Sequence, residues 1–412
     1  SPWKQSSSQR IYYIDASFLK QVSTKIHLKG GIAGEFYNLR LDSDRYIAQP
    51  QSGDEALFNF SLFSNHFHRT PRYIAGFGEV RLDYPFIRVQ LGSRVDYFTA
   101  STLGLNRPLQ DSTYVRNRQP GKYMFSPRIS LSVPFSDHHQ VMLNYGRFVQ
   151  IAPMFYFYAG SGTSAENAPL WPLYGNVDLN PLFSESSEIS YVYSVSDATS
   201  LSLTGFWRTY SDIIDTRNQA FHGQGGSAQT TPTLYQNQAS SRARGIELEA
   251  NYAASAKTQF RLTYTYMQAT GTTNKPEDRY FQFVSQGVMP ALLERPLNWD
   301  QRHSFILESH ITPARNFYAA IVWRLYSSRK WLNTTLTEQQ FKKIPWRNFL
   351  DLKLNYRLHS KYFTFLPFFE VRNVFNIHTQ EDEERFFLID NQPLRPFEDR
   401  LGRRFRLGIQ IN

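Results

Sequence analysis

Between Phe349 and Leu358 the chain alternates without a break. Leu350, Leu352, Leu354, Tyr356 and Leu358 fall on one side, and Asp351, Lys353, Asn355 and Arg357 on the other. Successive side chains of a strand point to opposite faces, so this is a strand with one apolar and one wet face. The same period recurs over Tyr12–Leu19, Lys25–Glu35, Glu79–Tyr84, Ile87–Tyr97, Arg128–Val133, Val141–Tyr145, Glu188–Val195 and Leu201–Tyr210. It continues over Ile246–Tyr252, Phe260–Met267, Ser304–Ile311, Phe317–Tyr326, Tyr362–Val374 and Arg403–Asn412, which makes about fifteen strands.

What lies between the strands alternates too. Short turns stand near Pro85, Asp197, Ser255, Pro313 and Ser360. Long connections stand near 43–69, 100–125, 151–185, 214–241, 271–301, 329–346 and 377–397. Segregation of turn length by parity is the rhythm of a transmembrane barrel, with short turns at one end and long loops at the other. A propeller or sandwich has no reason to produce it. Mean hydropathy is low, at −0.47, and no uncharged apolar run approaches the roughly 20 residues of a spanning helix. Spanning strands need only about 9–11 residues and hide half of them from lipid. Tyr and Phe are abundant, 25 and 33 residues, in keeping with aromatic belts at the membrane–water interfaces. The fold expected is all-β: one antiparallel transmembrane β-barrel domain over residues 1–412.

The charge balance narrows function. A net charge of +10 is carried by basic residues spaced singly along strands, which line a polar interior or face acidic headgroups and form no stripe for nucleic acid. With no cysteine, disulfide scaffolds, thiol chemistry and cysteine zinc sites are excluded. Inward positions carry Arg81, Asp83, Arg88, Arg94, Asp96, Glu247, Glu249, Asp351, Lys353 and Arg357, expected to bind lumen water, one another or a plug. These carboxylates occur singly, so no catalytic pair is apparent and the chain is not expected to be an enzyme or to carry a cofactor. His66 and His68 in "HFH" lack a third ligand, so no metal site is assigned there. The acidic "QEDEER" from Gln380 to Arg385 reads as a solvated loop, with calcium as the alternative. "HGQGGS" near Gly225 opens no helix and is no phosphate cradle. Ligand contact is expected in the long connection that gathers Met154, Phe155, Tyr156, Phe157, Tyr158, Trp171 and Tyr174, with packing among loops and contact with a partner as alternatives.

Several segments resemble the TonB-dependent outer-membrane receptors. "AGFGEVRLDYPFIRVQLGSRVDYF" is similar to their paired barrel strands, with Asp96–Tyr97 at the "RYD" position. "SPRISLSVPFSDHHQVMLNYGRFVQIAPMF", "GNVDLNPLFSESSEISYVYS", "RARGIELEANY", "LNWDQRHSF", "FFEVRNVFN" and "RRFRLGIQI" resemble successive family segments in family order. The resemblance implies an outer-membrane location and a 22-stranded barrel around an N-terminal plug, which imports a scarce nutrient with energy relayed by TonB. It implies that this chain is the C-terminal portion, lacking the plug and about seven strands, because single-chain bacterial barrels have even strand numbers. The partners implied are that plug, the TonB complex, membrane lipid and lipopolysaccharide, with a surface lipoprotein as a further candidate. Two features depart from the family. Leu182 follows Pro181 where an acidic residue is usual, and the chain ends "GIQIN" rather than on an aromatic. The residues by themselves leave two other readings open: a passive porin-like or hydrophobic-substrate channel of about 14–16 strands, or a docking barrel that transports nothing.

Overall fold

Alternating apolar and polar residues can satisfy a strand only if one face is dry and every backbone amide has a neighbour, so the chain folds back on itself repeatedly. A computed structural model describes residues 3–51, 54–100, 121–159, 173–218, 233–333, 340–377 and 402–411. The first strands are β1 (Trp3–Ser23), β2 (Ile26–Gln51), β3 (Asp54–Arg69), β4 (Arg72–Tyr84), β5 (Ile87–Thr99), β6 (Lys122–Pro134) and β7 (His139–Gln150). A short helix α1 (Met154–Tyr158) precedes β8 (Leu173–Tyr174), β9 (Leu182–Ser196), β10 (Thr199–Asn218), β11 (Thr233–Ser255) and β12 (Thr258–Gly271). After α2 (Asp278–Gln286) come β13 (Arg295–Pro296), β14 (His303–Ala314), β15 (Phe317–Tyr326) and β16 (Arg329–Asn333). The last are β17 (Gln340–Ile344), β18 (Arg347–Tyr356), β19 (Leu358–His359), β20 (Thr364–Arg372) and β21 (Arg404–Ile411). No helix among the described residues is long and apolar enough to cross a membrane.

Among the described residues nineteen strands form one sheet, and β16 and β17 form a separate ribbon. Read by pairing, they make fifteen antiparallel staves, in agreement with the sequence count. Some staves are interrupted: β3 and β4 pair successive lengths of β2, and β18 and β19 both pair β20. Among the described residues the sheet is open, with β1 paired only to β2 and β21 only to β20. Two-residue turns join β4 to β5, β9 to β10, β11 to β12 and β14 to β15. In the last of these Asn316 takes φ 68°, the left-handed conformation that asparagine tolerates in a tight hairpin.

Register aligns the apolar rows across the wall. Val133, Val141, Tyr191, Leu203, Leu248, Tyr264, Phe305 and Leu325 are successive cross-strand partners from β6 to β15. Tyr191, Leu203 and Leu248 on this row are exposed, as are Phe405, Leu407 and Ile409 on β21. A continuous exposed apolar band of this extent is a surface solvated by hydrocarbon. The opposite face pairs polar with polar: Ser190 Oγ lies 2.8 Å from Thr204 Oγ1, and Arg208 Nη2 donates to Glu188 Oε1 at 2.8 Å.

Three expected long connections prove partly stranded. Residues 43–51 and 54–69 extend the β2–β3 ladder, β10 and β11 reach Asn218 and Thr233, and β16–β17 fill most of 329–346. Beyond the hydrocarbon both faces of a hairpin are wet. Alternation then disappears from the sequence while the backbone ladder continues.

Candidate functional site

The long-connection end of the wall holds the main buried cluster. Phe98, Met124, Phe157, Tyr158, Leu179, Ile214 and Tyr235 are all buried there. It is assembled by the segment after β7. Pro153 sets the entry to α1, and Tyr156 N–H donates to Pro153 O at 3.0 Å. The chain then returns against the helix, with Gly175 N–H donating to Ala159 O at 2.7 Å and Asn176 N–H to Tyr156 O at 2.9 Å. Only glycine permits this approach, because a Cβ at position 175 would sit 2.6 Å from Ala159 N. The returning β8 pairs in parallel with Thr233–Leu234 of β11. Phe157 packs on Phe98 with ring centroids 5.2 Å apart, and Tyr156 meets Tyr235 edge-on at 4.9 Å.

A polar clasp surrounds these rings. Tyr235 Oη donates to Glu277 Oε1 at 3.0 Å, at the start of α2. Arg279 of α2 reaches the fully buried Asp215 on β10 (Nη1 to Oδ2, 3.1 Å) and donates to Pro290 O through Nη2 at 2.7 Å. Asn180, Asp212 and Asn237 lock the chain just before β9 to β10 and β11: Asn180 N–H donates to Asn237 Oδ1 at 2.6 Å, and Asn237 Nδ2 to Asp212 O at 2.6 Å. Asp212 adopts φ 56° at the bulge where the β10–β11 register shifts. Burial raises the Asp215 carboxyl above its ordinary range, against the pull of the Thr216 N–H and the Arg279 guanidinium. Burial also pushes the phenols of Tyr174 and Tyr280 up to about 12. It raises Tyr158, opposed by Arg69, and Tyr235, where the charge of Glu277 adds to it.

On the rows facing away from the apolar band, carboxylates are held by arginines. Asp83 accepts from Arg88 Nε at 2.7 Å and from Arg81 Nε at 2.9 Å. Asp96 is buried and accepts from Arg94 Nε at 2.7 Å and from the Tyr73 hydroxyl. Asp351 pairs with Arg324 and caps Asn373 N–H at 2.8 Å, while Glu370 pairs with Arg372 and Arg406.

A family model described as the β-barrel of TonB-dependent receptor-like proteins matches residues 4–374. The chain belongs to this family. Solved structures with the same fold include the FrpB iron transporter from Neisseria meningitidis (F5-1 variant), 12% identical, with TM-score 0.65 over 98% of this chain and 56% of that one. The copper transporter OprC is 14% identical, with TM-score 0.63 over 99% and 59%. The ferric-catecholate import receptor Fiu from E. coli K12 is 17% identical, with TM-score 0.55 over 91% and 52%. The chain thus spans between about half and three fifths of the length of these structures. No curated protein sequence matches it.

The "LNWDQRHSF" segment ties neighbouring strands together. Asp300 Oδ1 accepts from Ala269 N–H at 2.7 Å and Oδ2 from Arg302 Nε at 2.9 Å. Gln301 Nε2 donates to Ser327 O at 2.8 Å and its Oε1 accepts from Arg347 at 2.9 Å. The segment therefore staples β12, β14 and the far end of β15 to β18.

The wall places Arg81, Asp83, Arg88, Arg94, Asp96, Glu247, Glu249, Asp351 and Lys353 on rows facing away from the apolar band. Arg357 stands just past β18, its guanidinium 5.1 Å from the Tyr318 ring. The aromatic candidates divide. Phe157 and Tyr158 are buried in the cluster, Tyr174 is buried in β8 outside it, Met154 and Tyr156 are partly buried, and Phe155 is 62% exposed. Trp171 lies outside the described residues, as do Gln380–Arg385 and the segment near Gly225. The backbone of His66 and His68 belongs to β3, a strand rather than a loop, and His68 Nε2 lies 2.9 Å from Asn38 Oδ1. No group of three or more metal-ligating side chains occurs among the described residues. The sequence reading missed Tyr235, Glu277, Arg279 and Asp215. Each is ordinary in its local sequence, and only the meeting of β10, β11 and α2 makes it part of the mouth.

Proposed function

We propose that this chain forms part of the wall of an outer-membrane transporter that captures a scarce nutrient at the mouth made by its long connections. The ligand then passes inward by TonB-driven displacement of a plug seated against the polar rows. The observation that carries this reading is the pairing of two unlike faces in one sheet of the receptor family. One face is a continuous apolar band, and the other is lined by arginine-held carboxylates that offer hydrogen-bonding groups to a protein plug. The open edges at β1 and β21 support further strands completing the barrel, since unpaired backbone groups in lipid cost several kcal/mol each. At the mouth the clasp of Glu277, Asp215 and Arg279 makes a fixed platform from which Phe155 projects for ligand contact.

The test is accumulation of labelled iron and copper, as free ions and as catecholate chelates, by cells expressing the full-length receptor with and without working TonB. Saturable uptake of at least one of these that needs both proteins is expected, with Phe155→Ala raising the half-saturating concentration. Uptake that rises linearly with concentration and ignores TonB would make the protein a passive channel instead.

A further inference from the structure

At the short-turn end of the wall, charge is shared unevenly. Successive hairpin tips carry Asp137 (β6–β7), Asp197 (β9–β10), Lys257 (β11–β12), Arg315 (β14–β15) and Lys361 (β19–β20). Two neighbouring tips are thus acidic and the next three basic. No Asp or Glu occurs in the basic tips, residues 253–258, 312–317 and 357–363. Lys257, Arg315 and Lys361 are exposed, and none of them pairs with a carboxylate among the described residues.

The three basic tips form a fixed array. Thr312 N–H donates to Lys257 O at 2.7 Å and Arg357 N–H to Asn316 O at 2.7 Å, so each tip is bonded to the next hairpin. Adjacent tips stand two staves apart, about 10 Å at the usual strand spacing of about 4.8 Å. The array also clears the apolar band. In the β11–β12 hairpin the last outward aromatics are Tyr252 and Phe260, cross-strand partners stacked with ring centroids 6.4 Å apart. Past them only Ala, Ser, Thr and Gln flank Lys257. Such aromatics mark the headgroup level. Three residues from Tyr252 to Ser255, at about 3.4 Å each and a tilt of about 40°, carry the tip roughly 8 Å farther into water. At the last tip Lys361 Nζ lies 5.4 Å from the centre of the Tyr362 ring, which is 76% exposed. An exposed ring beside a cation suits a sugar polymer that bears carboxylates, because the ring stacks on the sugar while the ammonium pairs with the carboxylate.

The short turns of an outer-membrane barrel face the periplasm. A partner for this array therefore comes from that side, lies below the lipid headgroups and carries anions repeated along its length. We propose that the rim from Lys257 to Lys361 is a docking surface for the peptidoglycan of the cell wall. Stem-peptide carboxylates pair with Lys257, Arg315 and Lys361, and a sugar ring stacks on Tyr362. Asp137 and Asp197 confine the polymer to the basic side by repulsion. This does not depend on what the receptor imports, because no residue of the mouth takes part.

The full-length receptor, extracted in mild detergent, is sedimented with purified peptidoglycan sacculi. The wild-type protein should co-sediment, and less of it as salt rises, since exposed charges are screened. The triple variant Lys257→Glu, Arg315→Glu, Lys361→Glu should lower the bound fraction about tenfold, the combined effect of three exposed ion pairs. Arg10→Glu, at the opposite end of the wall, should leave it unchanged. Sacculi stripped of stem peptides by an amidase should bind the wild type no better than intact sacculi bind the triple variant. Heat-dependent mobility in gels identifies folded barrels. If the triple variant does not fold, Arg315→Glu and the amidase-treated sacculi decide. No co-sedimentation of the wild type, equal binding by the charge-reversed and wild-type proteins, or undiminished binding to amidase-treated sacculi would overturn the proposal.

Discussion

Replacing Leu203 by arginine places a charge on the row assigned to hydrocarbon. Leu203 lies four residues beyond Thr199, where β10 begins, and is 47% exposed between Tyr191 and Leu248. At about 3.4 Å per residue that is about 14 Å along the strand. With a tilt of about 40° this becomes about 10 Å of depth, close to the midplane of an apolar band about 25 Å tall. The cost is therefore the midplane value of about 2–4 kcal/mol, or roughly 30- to 700-fold in the folding equilibrium. Thr204 is the control. It is adjacent in sequence but faces the other way, with Oγ1 2.8 Å from Ser190 Oγ. Thr204→Arg should cost well under half as much, because its longer side chain reaches water. The assay is urea-dependent folding of the full-length protein into phospholipid vesicles, followed by heat-dependent gel mobility. Equal costs at 203 and 204, or a larger cost at 204, would refute the assignment of faces.

Four further outcomes follow from the mouth. Arg279→Ala leaves the buried Asp215 carboxylate without its cation, a loss on the order of 3 kcal/mol, and should speed hydrogen exchange in α2 and the adjoining β10 end. Phe157→Ala should destabilise the mouth by about 3–5 kcal/mol, since the ring is fully buried. Phe155→Ala should leave stability within about 0.5 kcal/mol and alter only ligand uptake. In alkali the sign is fixed by the phenols. Tyr174 and Tyr280 ionise near 10 when unfolded and at about 12 when folded, so their contribution is complete below pH 10 and is lost as pH rises toward 12. Absorbance at the phenolate band should show these tyrosines titrating late, and melting temperature should fall over the same interval.

The staves and their faces were legible because lipid enforces a local rule. A residue's parity within its strand decides whether it meets hydrocarbon or polar surroundings, and a slip by one residue exposes Asp351 and Lys353 to oil. The membrane-spanning parts of β4, β5, β18 and β21 could therefore be read residue by residue. The extension of β2 and β3 beyond the membrane could not, because a ladder wet on both faces needs no alternation.

The amino-acid order alone thus dictated the number of staves and their facing, which rest on neighbours two residues apart, and the family, which is carried by motifs in a fixed order. Folding in three dimensions decided what the aromatics near Met154 do. Phe157 and Tyr158 became core because β11 and the return through Gly175 close over them, and Phe155 was left outside. It also decided the partnership of Asp215 with Arg279, 64 residues apart. Contacts between distant segments are set by which surfaces meet when the sheet curves, and no spacing within one strand encodes that.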